Sequence, residues 1–295
     1  MLNDQAAGLR AMQSNHSTIG AKVNNSVRVI AVASGKGGVG KTNVSVNLGV
    51  ALSKMGHRVL LMDADMGLAN VDIMLGLQTK YNLLHVLEGE KTLEEVIVEG
   101  PGGLKIIPAA SGVSRMAQLT AMENAGIINA FSELSDQLDI LLVDTAAGIA
   151  DSVVNFCRAA QEVVVVVTDE PASITDAYAL IKVLNRDHQL TRFRLLANQS
   201  QSMQHGRILY EKLAKVCEQF LDVSIDYFGF VPFDHDLRDA VQKQIPVVMY
   251  KPHSESTQAF KVLAQKIEQW PTPKGATGYL QFFVESLVTY SVQPE

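Results

Sequence analysis

The stretch Gly35-Lys36-Gly37-Gly38-Val39-Gly40-Lys41-Thr42 decides the fold. It fits the pattern G-x4-G-K-[ST] in full. An apolar run, Val27–Val32, precedes it, and a helical pattern, Thr42–Met55, follows, so the order is strand, tight loop, helix. Glycines let a backbone curl round a polyphosphate, with its N–H groups and the helix N-terminus turned to the negative charge. In such a loop Lys41 reaches the β- and γ-phosphates, and the Thr42 hydroxyl ligates Mg2+.

Outward from the loop, further candidate strands lie at Val59–Met62, Leu104–Ile107, Ile140–Val143, Val163–Val167, Phe193–Ala197 and Tyr227–Val231. Several are continuous apolar runs, the pattern of strands covered on both faces. Helical patterns at Ser173–Asn185, Ile208–Phe220 and Glu255–Trp270 alternate with them. The fold class is α/β: a mostly parallel, doubly wound sheet flanked by helices. Ligands of such sheets bind beyond the carboxyl ends of the strands.

Composition narrows the class. The chain has 295 residues, 47% of them hydrophobic and 19% charged, enough apolar mass for a large core. The longest purely β-branched run, Val163 to Val167, falls far short of the roughly 20 apolar residues that span a bilayer. Residues 1–27 lack the basic-then-apolar pattern of a secretory leader, so a cytosolic protein is expected. Cys157 and Cys217 lie far apart, and the seven histidines show no H-x3–5-H spacing, which argues against disulfide and zinc frameworks. A net charge of −6 argues against coating nucleic acid. Three regions are expected: a polar tail (1–27), a P-loop body (28–270), and a Pro/Gly linker with an amphipathic helix (271–295).

Lys36, an additional lysine early in the loop, resembles the deviant Walker A motif, K-G-G-x-G-K-[ST], of the MinD/ParA family of dimerising P-loop ATPases. The resemblance implies a homodimer formed with ATP and Mg2+, in which Lys36 crosses to the partner's nucleotide. Leu60-Leu61-Met62-Asp63-Ala64-Asp65 is similar to the family's first switch. There Asp63 would hold the metal's water shell, and Asp65 would orient or deprotonate the attacking water. Ile140-Leu141-Leu142-Val143-Asp144-Thr145-Ala146-Ala147-Gly148 looks like the Walker B strand with switch II. Asp144 would bind Mg2+ through water, and Gly148 could swing an N–H toward the γ-phosphate. Ala146 replaces the proline common at this place in the family. Asn198 and the segment Val231-Pro232-Phe233-Asp234 match positions where the family contacts adenine, and no N-K-x-D guanine signature appears.

The tails narrow the resemblance. Asp4-Gln5-Ala6-Ala7-Gly8-Leu9-Arg10 is similar to the D-Q-A-x-x-L-R motif of the FlhG (FleN) family, MinD-like regulators of flagellar number and placement. That resemblance implies stimulation of the GTPase FlhF through Asp4–Arg10, meetings with flagellar switch (C-ring) proteins, and restraint of a flagellar transcription activator. Tyr279–Tyr290 sets an apolar arc against Gln281, Glu285 and Thr289. It resembles the family's membrane-targeting helix, which implies reversible attachment to the inner membrane, at the pole. No Lys or Arg follows Lys274, and a helix docked in the core is the alternative use of the same arc. A division-site MinD or a ParA-type positioning ATPase is the alternative function. Direct nucleic-acid binding is not expected, because Lys182, Arg186, Arg192 and Arg194 form only a thin basic cluster. An iron–sulfur carrier would need cysteines near switch II or paired as C-x-x-C.

Overall fold

A computed structural model describes residues 27–65, 70–108, 121–271 and 280–292. Within them one sheet contains β1 (Arg28–Ser34), β2 (Val59–Ala64), β3 (Val98–Glu99), β4 (Lys105–Ile107), β5 (Ile140–Ala147), β6 (Glu162–Val167), β7 (Arg192–Ser200) and β8 (Ser224–Pro232). The order is β3-β4-β2-β5-β1-β6-β7-β8, with β3 antiparallel to β4 and the other pairs parallel. Each expected strand is present. The short edge strand β3 carries no alternating pattern long enough to read.

Helices α1 (Lys41–Lys54), α2 (Val71–Leu75), α3 (Leu83–Leu87), α4 (Leu93–Val96), α5 (Ala121–Ser135) and α6 (Asp151–Ala159) occupy the first half. Helices α7 (Pro171–Arg186), α8 (Met203–Phe220), α9 (His235–Gln242), α10 (Val247–Tyr250), α11 (Glu255–Glu268) and α12 (Leu280–Val292) complete the chain. Side chains of a strand alternate faces, so Ile30 and Val32 point to one layer while Val29 and Ala31 point to the other. On the first face α1 and α11 bring Val44, Leu48, Phe260 and Leu263 against Ile30, Val32 and Leu142. On the second, α5, α6 and α12 cover Val29, Leu60 and Leu141, while α7 and α8 cover Ala31, Val165 and Leu195. Both faces are therefore dry, which is why the strands read as unbroken apolar runs.

The C-terminal helix is docked. Leu280, Phe283, Val284 and Leu287 are buried in the layer that holds Ile127 and Phe131 of α5 and Phe156 of α6. The motif Asp4–Arg10, residue Tyr279 and most of the linker from Pro271 to Gly275 lie outside the described residues. Among the described residues, no helix is long and apolar enough to cross a membrane.

Candidate functional site

β1 stands mid-sheet between β5 and β6, and its carboxyl end runs into the glycine loop. Gly38 (φ 81°) and Gly40 (φ 84°) take the left-handed conformation that side chains resist. Close approach matters as well. A Cβ on Gly40 would lie 2.5 Å from Asn198 Nδ2, and one on Gly35 would lie 2.1 Å from the Asp176 backbone in α7. Helix α1 then starts at Lys41 without a side-chain cap, leaving its first-turn N–H groups for a ligand or solvent. The loop lines an open cavity of about 770 Å³, with Asp65, Asn70 and Ile73 on one wall and Val241, Gln242 and Gln244 on another.

Below the loop lies a buried polar cluster. Lys41 Nζ sits 3.2 Å from Asp144 Oδ1, and the Ser45 hydroxyl donates to the same oxygen at 2.8 Å. Lys41 is 7% exposed and Asp144 is 0% exposed. Asp144 Oδ2 has no hydrogen-bond partner. An unsatisfied buried carboxylate oxygen is costly, and a hydrated cation beside it removes that cost. This donor set fits Mg2+, which is held by one or two carboxylates together with substrate phosphates and water. Among the described residues, no group of three or more His, Cys, Asp or Glu could cage a metal alone.

Asp63 is nearly as buried, and burial pushes its carboxyl up to about 6, with Asp144 adding to the rise. Its oxygens accept the backbone N–H groups of Asp65, Asn70 and Val71, which fastens the start of α2 to the end of β2. The neighbouring Asp65 accepts the Asn70 side-chain amide at 3.2 Å. Lys36 reaches outward instead and pairs with Glu170 at 2.6 Å. The Gly148 N–H, at φ 101°, donates to the Ser34 carbonyl at 2.9 Å. β5 continues through Ala146 to Ala147, which pairs with Ser34. A proline at 146 would bring no N–H to that ladder.

A second cavity of about 430 Å³ shares Gly40, Asn43, Val241 and Gln242 with the first. Asn198, Pro232 and Asp234 line it. The Asn198 amide donates to the Val39 carbonyl at 2.7 Å, and its Oδ1 has no partner. That free acceptor suits an exocyclic amine, which adenine carries where guanine carries a carbonyl. The Val231 side chain lies in the core, so only backbone there can meet a base. Asp234 caps α9 through Asp236 N–H and receives the Ser256 N–H and hydroxyl from α11. Burial raises its pKa, but the hydrogen bonds from Ser256 and Asp236 outweigh this and hold it below the usual range.

Every described candidate thus gathers at one end of the sheet: the loop, Asp63, Asp65, Asp144, Asn198 and the turn after β8. Sequence reasoning did not pick out Ser45, Asn70 or Gln244. Ser45 carries a readable signal, standing one helical turn after Lys41 and therefore on its face. The other two become partners only through folding.

A strand feeding an uncapped helix through a glycine loop, with a buried lysine–aspartate pair beneath, defines a P-loop nucleoside-triphosphate hydrolase. A family model for ParA, described as the NUBPL iron-transfer P-loop NTPase, matches residues 25–268. The chain is 59% identical over 264 residues to the antiactivator FleN of Pseudomonas aeruginosa, covering 90% of this chain and 94% of that protein. It is 34% identical over 264 residues to the flagellum site-determining protein YlxH of Helicobacter pylori, covering 89% and 88%. Among solved structures, the septum site-determining protein MinD complexed with Mg-ADP, from Pyrococcus horikoshii, matches at a TM-score of 0.65 and 27% identity. That match covers 82% of this chain and 96% of MinD. The chain belongs to the MinD/ParA family of P-loop NTPases, in the FlhG (FleN) branch.

Proposed function

We propose that this protein is an ATP-switched, dimerising ATPase that regulates flagellar number and placement. The observation that carries the hydrolase reading is the Lys41–Asp144–Ser45 cluster, with Asp144 Oδ2 unpartnered beneath the loop. ATP lies with its phosphates in the glycine loop and its adenine beside Asn198, Pro232 and the backbone of Val231–Asp234. Lys41 neutralises phosphate charge, while Thr42, Asp144 and Asp63 hold Mg2+ directly or through water. Bound Mg2+ supplies the positive charge that the transferring phosphoryl group needs. Asp65 orients the attacking water and takes its proton.

Dimerisation is supported by exposed apolar side chains at the end of the sheet that carries the glycine loop. Ile73 (66% exposed) lines the first cavity, and Ile149 (50% exposed) follows Gly148. In the ATP dimer Lys36 leaves Glu170 for the partner's nucleotide. Iron transfer, named in the description of the family model, finds little chemistry here. Cys157 and Cys217 are buried on α6 and α8, and burial pushes their thiols up to about 12 and about 11.

The flagellar assignment rests on the two flagellar relatives and on the motif Asp4–Arg10. That motif stimulates FlhF, and other surfaces meet C-ring proteins and the flagellar transcription activator. The chain divides into tail (1–27), ATPase body (28–270) and membrane-targeting segment (271–295), and it works at the inner membrane of the cell pole. A pull-down with FlhF, using the whole chain and a form lacking residues 1–12, tests this. Capture is expected only with the tail. Equal capture by both forms removes the role of Asp4–Arg10 and reopens the reading as a division-site MinD.

A further inference from the structure

We propose that Gln244 is a positioning residue that ties the base-side wall of the nucleotide cavity to the first switch, and so sets the placement of Asp65 for hydrolysis. The inference rests on the hydrolase reading above.

Gln244 follows the end of α9 in a left-handed conformation, φ 55°. Its N–H donates to the Val241 carbonyl, and the Ile245 N–H donates to the Ala240 carbonyl. Those two bonds make a Schellman ending, where glycine is the ordinary residue because a Cβ is disfavoured there. The turn by itself would be better served by glycine. What glycine would lack is the side chain, and that side chain crosses the cavity. Gln244 Nε2 donates to the Ile73 carbonyl at 2.6 Å. On the far side, α2 ends at Gly76 (φ 60°), where a Cβ would lie 3.0 Å from Gln244 Oε1. Two left-handed helix endings therefore face each other with one amide between them.

Helix α2 is short, and each end is held by a different part of the site. Asp63 Oδ2 accepts the N–H groups of Asn70 and Val71 at its start. Gln244 holds the Ile73 carbonyl of its last turn, which also accepts the Gly76 N–H of the cap at 3.3 Å. Asn70, at the start, also donates its side-chain amide to Asp65. Gln244, meanwhile, is the end of the segment that begins at Pro232 and Asp234, in the second cavity. One hydrogen bond thus links the wall that would meet the base to the helix that Asn70, a partner of Asp65, starts.

The test compares Gln244→Gly, Gln244→Glu, Asn70→Ala and the Gln244→Gly/Asn70→Ala double variant in the whole chain with MgATP, reading kcat, KM and melting temperature. Glycine relieves the left-handed backbone while removing the amide, so Gln244→Gly should melt no lower than the native chain. Its kcat should fall by about fivefold, the factor equivalent to one lost hydrogen bond, with KM little changed. Gln244→Glu presents oxygen to a carbonyl and should slow turnover to a similar extent. If Gln244 acts through Asn70, the double variant should be no slower than the slower single one. A native kcat in Gln244→Gly overturns the proposal, as does a double variant whose losses multiply. If Gln244→Gly is slow merely because it is unstable, Gln244→Glu with native kcat has the same force. Asp65→Ala runs alongside. A native chain that does not hydrolyse MgATP refutes the hydrolase reading. Native turnover in Asp65→Ala assigns the water to another group and overturns the tie with it, whereas an inactive Asp65→Ala beside a normal Gln244→Gly refutes the tie alone.

Discussion

Lys36 and Lys41 lie five residues apart in one loop, yet they stand in different dielectric surroundings. Lys41 and Asp144 form a buried pair, and removing one partner of such a pair leaves the other charge uncompensated, at a cost of about 3–5 kcal/mol. Lys41→Ala should therefore abolish ATP binding and lower the melting temperature together, as calorimetry and a nucleotide-binding titration would record. Lys36 is partly and Glu170 mostly solvated, and a surface pair of this kind contributes at most about 1 kcal/mol. Lys36→Ala should keep the native melting temperature and much of the monomer's ATP affinity, but weaken dimerisation with ATP on size-exclusion chromatography. Equal loss of ATP affinity in both variants would remove the cross-interface role. Lys41, Thr42 and Asp144 remain in Asp65→Ala, so that variant should still bind MgATP and accumulate as dimer. Its turnover should drop by about 100-fold or more, the usual contribution of a positioned base. Near-native ATPase activity in that variant would assign the water to another group.

At the scale of elements, α12 decides between two uses of one apolar face. In this structure Phe283 is 1% exposed and packs with Val284 and Leu287 against α5 and α6. The same residues would enter a bilayer, so docking and membrane insertion exclude each other. Phe283→Glu places a carboxylate in that dry seam, where an unpaired charge is strongly disfavoured. The helix should undock in every nucleotide state, seen as faster proteolysis near residue 271, and should also fail to bind liposomes. Protection equal to that of the native chain would show that the seam does not hold the helix. The loop–helix junction is stiffer. Gly35 touches the backbone of α7, so that end of the site cannot shift without moving a helix.

For the whole molecule, charge and symmetry set how it can meet a surface. The chain carries a net charge of −6, and residues 275–295 contain no cation. A single short apolar helix anchors weakly, and stable attachment generally takes a second signal. A polybasic patch cannot be that signal here, whereas a dimer presents two helices at once and gains avidity without new chemistry. Liposome flotation should rise with ATP and fall with ADP. Anionic lipid should change it by less than about tenfold, since each nearby cation would contribute only about 1 kcal/mol. ATP-bound dimers that fail to float would make α12 a permanent part of the core. Part of the basic cluster at 182–194 is already engaged within the fold. Arg194 is buried and paired with Glu162 and Asp226, and the exposed Arg192 also pairs with Asp226.

The residues alone determined the strand–loop–helix at 28–54 and the parallel sheet, because these depend on local patterns, while resemblance to the MinD/ParA switches singled out the carboxylates at 63, 65 and 144. Strand period, glycine spacing and an aspartate after an apolar run are all written within a few neighbouring positions. Only the tertiary structure decided how those groups are engaged. Asp63 is bound to the backbone of its own switch, Asp234 to two helix starts, and Gly148 to Ser34. Asn198 lies beneath Val39, 159 residues away in the chain, and Gln244 lies over Ile73, 171 residues away. Such pairings leave no periodic trace, because a hydrogen bond between distant segments depends on where the sheet order brings them. The placement of α12 was undecided for the same reason: its apolar arc records that the helix must be covered, and the groove between α5 and α6 supplies the cover.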